Sequence, residues 1–387
     1  MFLFAALALL VLFAMHRFFW ARAVRALEPS RALRRTLGAL VGLLCISIPV
    51  VFVLVRHTPA DEGGRAFLPV WIWFGFLFYA LIALAIVQVA EWLVYGKTRR
   101  VQALDEPQID PQRRLFLRRA ATGAGLAGAG VVTWSGRSSA ANELLRSEIP
   151  VKLEKLPRAL SGLRIAQLTD VHVGPLLGES YVRRLVAETL RTKPDLIVIT
   201  GDLVDGSVAG LRKSIEPLFG LRARFGVYFV TGNHEYYSGA EEWTEYLAQR
   251  GIRVLHNERV SIGDAGASFD LAGIPDHSTR NLGEPHAADF ARAFAGRDPE
   301  RESILLAHQP VQIHGSRGHD LGLQLSGHTH GGQMWPFGFL VLAAQPYLNG
   351  LHTHSGRTQI YVSRGAGTWG PPLRVGNPAE IPDIILL

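Results

Sequence analysis

Leu196-Ile197-Val198-Ile199-Thr200-Gly201-Asp202-Leu203-Val204-Asp205 is a strand-length aliphatic and β-branched run that ends in a glycine and carboxylates. The same shape recurs through the C-terminal part of the chain. Leu168-Thr169 leads into Asp170-Val171-His172, and Val230-Thr231 into Gly232-Asn233-His234-Glu235. Later, Leu306-Ala307 leads into His308-Gln309-Pro310, and Leu325-Ser326 into Gly327-His328-Thr329-His330-Gly331. Strands are expected at Leu163–Leu168, Leu196–Thr200, Val227–Thr231, Ser303–Ala307, Leu321–Leu325 and Gln359–Ser363. Between the first two, Val182, Leu185, Val186 and Leu190 recur at helical spacing, and Arg212–Leu221 and Ala240–Gln249 read as further helices. Strands interleaved with helices predict an α/β layered core. Ligands in such sheets bind outside the carboxyl ends of the strands, so the five polar loops are expected to converge on one site.

Those loops offer carboxylates, imidazoles and one amide. The single cysteine, Cys45, lies far from them and excludes an internal disulfide framework and Cys-based zinc knuckles. Mixed oxygen and nitrogen donors suit Mn²⁺, Fe or Zn²⁺ better than Ca²⁺. Asp170, His172, Asp202, Asn233, His308, His328 and His330 are too many ligands for one ion and fit two cations sharing a carboxylate. Paired metals suit in-line displacement at phosphorus. His352-Thr353-His354 is a second H-x-H, but it follows Asn349-Gly350 rather than a strand and is expected to be a decoy. Trp335, Trp369 and Pro371-Pro372 either line a substrate groove or pack.

In order, these motifs read D-x-H, G-D-x-x-D, G-N-H-E, a lone H and G-H-x-H. The pattern resembles the calcineurin-like metallophosphoesterase superfamily. With Gly331-Gly332-Gln333 and Val362-Ser363-Arg364-Gly365 it is similar to the bacterial membrane-associated branch. The resemblance implies a layered β-sandwich flanked by helices over 141–387. It further implies that Asp170, His172 and His330 bind one metal, that Asn233, His308 and His328 bind the other, and that Asp202 bridges. His234 is implied as the non-ligand acid and Asp205 as an orienting neighbour behind the ligands. The implied activity is hydrolysis of a phosphate mono- or diester, lipid-borne substrates included, by metal-activated hydroxide.

The N-terminal third has a different character. Leu37–Val55 and Ala66–Ala90 are uncharged and long enough to cross a bilayer, and Phe2–Trp20 is apolar apart from His16 and Arg17. Three spans are therefore expected within 1–96. The first lacks the basic start of a cleavable signal and is expected to be retained. Residues 1–139 hold 16 Lys+Arg against 7 Asp+Glu, a net +9, which leaves −2 for 140–387.

That asymmetry reads as membrane topology rather than nucleic-acid binding. Arg17, Arg22, Arg25, Arg31, Arg34 and Arg35 mark the first loop as cytoplasmic, whereas Arg56 and Arg65 are balanced by Asp61 and Glu62 in the second. Lys97, Arg99, Arg100, Arg113, Arg114, Arg118 and Arg119 outnumber Asp105, Glu106 and Asp110 in the third, again cytoplasmic. Residues 97–140 then form a basic linker whose Gln112–Arg119 and Ala120–Trp134 resemble a twin-arginine export signal, with Ser138-Ser139-Ala140 as a cleavage point, or else a fourth membrane helix. Either reading places 141–387 on the external, periplasmic or extracellular, side of the cytoplasmic membrane.

Two alternatives compete with an external phosphoesterase. One is a non-catalytic metal-binding or sensory membrane protein, which would have no need of His234. The other is a pyrophosphate hydrolase on a nucleotide-linked lipid, which an external domain disfavours. Exact substrate, metal identity and oligomeric state stay open at this level.

Overall fold

The computed structural model describes residues 2–55, 64–95, 110–264, 266–281 and 286–387. The loops expected around Asp61 and Glu62, and around Lys97, Arg99, Arg100, Asp105 and Glu106, lie outside them. The chain divides into two compact units, Met1–Val55 with Ala66–Arg137, and Ser138–Leu387 with Arg56–Arg65.

The first unit is helical: α1 (Phe2–Phe19), α2 (Arg31–Val55), α3 (Gly64–Tyr95) and α4 (Pro111–Asn142), which runs on into the second unit. Among the described residues three helical spans are long and apolar enough to cross a membrane: Ala5–Leu27, Arg31–Val55 and Ala66–Val94. The first extends past α1 through a π-helical turn, Trp20–Val24, and a short 3₁₀ turn, Arg25–Leu27. His16 is buried there because both ring nitrogens are satisfied: Nδ1 donates to the Leu12 carbonyl at 2.9 Å, and Nε2 accepts from Trp73 Nε1 at 3.1 Å. Glu91 joins three segments by accepting from Arg22 at 2.7 Å and from Arg118 at 2.9 Å.

The second unit is a sandwich of two six-stranded mixed sheets. Its strands are β1 (Leu145–Val151), β2 (Arg164–Leu168), β3 (Leu196–Thr200), β4 (Val227–Val230), β5 (Arg253–Val254), β6 (Glu258–Asp264), β7 (Ala267–Gly273), β8 (Ser303–Leu306), β9 (Leu323–Ser326), β10 (Gly350–Ser355), β11 (Thr358–Val362) and β12 (Glu380–Leu386). One sheet runs β1-β12-β2-β3-β4-β5 and the other β10-β11-β9-β8-β7-β6. In β3 the side chains alternate between two cores. Leu196 and Val198 face inward with Ile165, Phe269, Leu271, Ile304 and Leu325, whereas Ile197 and Ile199 pack outward with Leu185, Leu211 and Trp243 of the covering helices. Burial on both faces is why a parallel strand reads as a continuous apolar run.

Six strands fall where they were expected, to within two residues at either end, and the helix Ala240–Gln249 matches. The stretch expected as a helix over Arg212–Leu221 is instead an α-helix, Val208–Ile215, capped by Ser207 Oγ on the Gly210 N–H, and then a 3₁₀ turn, Glu216–Gly220. Pro217 has no N–H to continue the α pattern. His352 and His354 lie within β10 and not directly after a strand; β10 pairs antiparallel with β11 at the sheet edge, where polar side chains can face water.

Candidate metal centre

Strands β2, β3 and β4 are mutually parallel, as are β7, β8 and β9, and the loops after five of these six strands carry the polar motifs. Cross-sheet hydrogen bonds hold the two sets of loops together. His308 Nδ1 donates to the Thr200 carbonyl at 2.8 Å, Gln167 Nε2 to the Ser326 carbonyl at 3.0 Å, and the His328 N–H to both Asp170 oxygens at 2.9 Å.

The backbone here is strained in one consistent way. Asp170 (φ 52°), His172 (51°), Asp202 (51°), His328 (70°) and His330 (51°) all occupy the left-handed region. Each such residue costs about 1–3 kcal/mol, and residues of this kind cluster at functional sites. Two glycines let the chain pass behind the carboxylates. A Cβ on Gly232 would fall 2.2 Å from Asp202 Oδ1, and one on Gly327 would fall 2.1 Å from both Asp170 Oδ2 and Thr169 Oγ1.

Two groups of possible metal donors result, Asp170/His172/His330 and Asp202/His308/His328, each with its ligand atoms within 4.8 Å of one another. All but His328 are buried. His172 Nε2 and His330 Nε2 face each other at 3.1 Å, with Asp170 Oδ1 3.4 Å from His330 Nε2. That approach requires a proton on one of the two nitrogens, and a cation seated there would replace it. In the second group His308 Nε2 is 3.1 Å from Asp202 Oδ2; burial works against a charged His308, but Asp202 outweighs it and holds its pKa well above the ordinary value, while the buried Asn233 Oδ1 has no hydrogen-bond partner. A buried acceptor without a donor is costly unless something electropositive meets it, and a cation between His308 and Asp202 would take the place of the imidazole proton there, so both donor sets fit divalent cations. Burial, with His308 next, lowers the His328 pKa. Burial, with Arg374 and His172 next, holds His330 well below the ordinary value. Both shifts favour the neutral form, which is the one that can ligate.

Asp205 with His172 and His234 forms a third cluster, but its geometry is that of hydrogen bonding. Asp205 Oδ1 accepts from His234 Nδ1 at 2.5 Å and from His172 Nδ1 at 3.1 Å, which leaves His172 Nε2 free to face inward. Burial works against a charged His234, but the carboxylates of Asp202 and Asp205 outweigh it and push its pKa up to about 9. Burial also disfavours ionised Asp202, yet His308 and His234 hold its carboxyl well below the usual range.

The structure gives support roles to residues that the motifs alone left without one. Glu235 is fully buried and accepts four backbone N–H groups, from Gly232 (2.6 Å), Asp202 (3.0 Å), Leu203 (2.8 Å) and Val204 (3.3 Å). It thereby ties the Asp202 loop to the Asn233 loop. Only its place inside G-N-H-E signals this in the sequence. Arg374 is buried and donates to the carbonyls of Arg364 (2.6 Å), His330 (3.2 Å) and Gly365 (3.1 Å), and no local motif signals it. His352 and His354 stand apart, engaged by the Asn349 carbonyl at 2.7 Å and the Tyr347 hydroxyl at 3.0 Å.

The calcineurin-like phosphoesterase family matches residues 163–332. A Helicobacter pylori protein named as an uncharacterized metallophosphoesterase is 43% identical over 241 residues, covering 62% of this chain and 63% of the relative. A Danio rerio transmembrane protein with metallophosphoesterase domain is 42% identical over 246 residues, covering 62% and 56%. The chain thus spans less than two thirds of the length of these two relatives. An Aquifex aeolicus metallophosphoesterase, also named as uncharacterized, is 34% identical over 238 residues, and the match takes in 61% of this chain and 88% of that one. With the ordered motifs on adjoining strand ends and a relative matched over nearly its whole length, the chain belongs to the calcineurin-like metallophosphoesterase family.

Proposed function

We propose that the protein is a membrane-attached phosphoesterase that uses two divalent cations, of Mn, Fe or Zn type, to hydrolyse a phosphate mono- or diester on the external side of the cytoplasmic membrane. The observation that carries this reading is the convergence of the unpartnered buried Asn233 Oδ1 and the His308–Asp202 contact beside the facing His172 and His330 nitrogens. Asp170, His172 and His330 would hold one cation, Asn233, His308 and His328 the other, and Asp202 would touch both. Bound there, the pair would supply Lewis-acid activation of water and neutralise the phosphoryl charge. His234, oriented by Asp205, keeps a proton at neutral pH to give to the leaving oxygen. The Glu235 carboxylate fixes the Asp202 loop so that little reorganisation accompanies turnover.

The external assignment rests on the basic first loop and on Lys97, Arg99 and Arg100 together with Arg113, Arg114, Arg118 and Arg119 at the start of α4. For α4, which is less apolar than the three spans, we favour a retained membrane helix over an export signal cleaved after Ala140. The helix is continuous through that point, Arg118 bonds Glu91, Arg119 bonds the Leu27 carbonyl at 2.8 Å, and Thr122, Ala129 and Thr133 bury one face. The test is turnover by the purified chain, with Mn²⁺, Fe²⁺ or Zn²⁺ added, on panels of monoesters and diesters. Hydrolysis that requires both a cation and His234 is expected. Cation binding without hydrolysis of any ester would instead favour the sensory alternative.

A further inference from the structure

Residues Gly331–Gly356 include no Asp, Glu, Lys or Arg, although they belong to the sandwich unit and directly follow His330. The centre of this stretch is turned outward. Trp335 is 62% exposed, Phe339 71% and Leu340 66%, with Leu342 also exposed, on and around the single helical turn Gly338–Val341. The projection is anchored rather than loose. The Trp335 N–H donates to the Val375 carbonyl at 3.0 Å, and the Val375 N–H returns to the Gln333 carbonyl at 2.9 Å. The Gln333 side chain brackets Trp369, donating to its carbonyl at 2.8 Å and accepting from its N–H at 2.9 Å. Trp369 is itself 47% exposed, which adds a second aromatic to the same anchored loops.

A fixed, uncharged projection of Trp, Phe and Leu is costly in water, and its composition is that of segments that settle into the interfacial zone of a bilayer. The same chain carries three helical spans of membrane length, so a bilayer is the apolar surface present at high effective concentration. We propose that Trp335, Phe339, Leu340 and Leu342 dock the catalytic unit onto the phospholipid bilayer to which the chain is attached, bringing the metal centre to headgroup depth. Both anchored loops lead from that centre. Trp335 lies five residues beyond His330, and Trp369 two beyond Gly367, whose added Cβ would lie 2.1 Å from the Val171 carbonyl between Asp170 and His172. Resting on the phosphoesterase reading above, the substrate class this implies is a phosphoester carried in a lipid headgroup.

The test uses the full chain reconstituted in phosphatidylcholine–phosphatidylglycerol vesicles, with Cys45→Ser and a nitroxide on Phe339→Cys or, as control, on the exposed Arg183→Cys. Docking predicts an oxygen-to-nickel-chelate accessibility ratio at least tenfold higher at 339 than at 183. In the double substitution Phe339→Asp with Leu340→Asp, hydrolysis of a headgroup phosphodiester in the vesicles should fall at least tenfold while that of a small chromogenic diester is unchanged. Equal nickel access at 339 and 183 would overturn the proposal. So would shielding from both reagents that disappears as the protein is diluted in lipid, because the face would then join copies of the chain. Absence of any phosphoester hydrolysis would sink the enzymatic reading, while the depth measurement would still decide the docking.

Discussion

Replacing Glu235 by Gln changes one oxygen for an NH₂ at the most heavily used acceptor in the site. Oε2 receives the N–H groups of Gly232 and Asp202, and Oε1 those of Leu203 and Val204. A glutamine can serve one pair and must turn a donor toward the other. Burial, with Asp202 next, pushes the Glu235 pKa up to about 7, so above that pH two hydrogen bonds to a charged acceptor are lost, at about 1.5–3 kcal/mol each, and the expected cost is roughly 3–6 kcal/mol. That is a large part of the 5–15 kcal/mol that holds a typical domain together. At roughly 2–4 °C per kcal/mol for a unit of this size, Tm should fall by about 6 °C or more. Because the disturbed N–H groups belong to the Asp202 and Asn233 loops, bound metal should fall with it. Thermal unfolding of the purified chain, with metal content measured on the same sample, checks both. Wild-type Tm and metal content in the variant would refute the clamp.

Further outcomes follow from the same geometry. Since His234 has its pKa raised from 6.5 to about 9, the protonated form persists to higher pH and a rate that needs its proton is lost as pH rises through the raised value. Cations on Asp202 remove part of that push, so the descending limb of kcat should lie between those values and move down in Asp205→Asn; a limb unmoved by that change would remove Asp205 from the role. His234→Ala should keep its metal, read by elemental analysis, and lose about 10²–10⁴ in rate. Gly327→Ala should lose metal, because its Cβ would fall 2.1 Å from both Asp170 Oδ2 and Thr169 Oγ1 and push the Asp170 carboxylate out of place. His352→Ala with His354→Ala should leave metal and rate unchanged, and a loss of either would place β10 in the site.

The site was legible because its residues stand directly after strands whose apolar runs announce themselves: Leu196–Thr200 before Asp202, and Val227–Val230 before Asn233. Strand β12 was not legible, because Pro382 and Asp383 interrupt its pattern and become acceptable only in the fold, where Asp383 pairs with Arg164 of β2. Glu235 sits beside a motif residue, but its partners at 202–204 are more than thirty positions away, a distance that no local pattern encodes. Likewise Trp335 and Trp369 read as packing or as groove, and only the folded exposure of Trp335 with Phe339 and Leu340 shows a surface that faces outward.

Metal stoichiometry coupled to turnover in Asp202→Ala tests the central claim most directly. Asp202 lies 3.1 Å from His308 and 4.0 Å from His172, one residue from each donor group. The wild-type chain is predicted to hold two divalent ions and hydrolyse a phosphoester, and the variant to lose metal and turnover together. Two tightly held ions without Asp202, or undiminished turnover in the variant, would contradict a site built around a shared carboxylate.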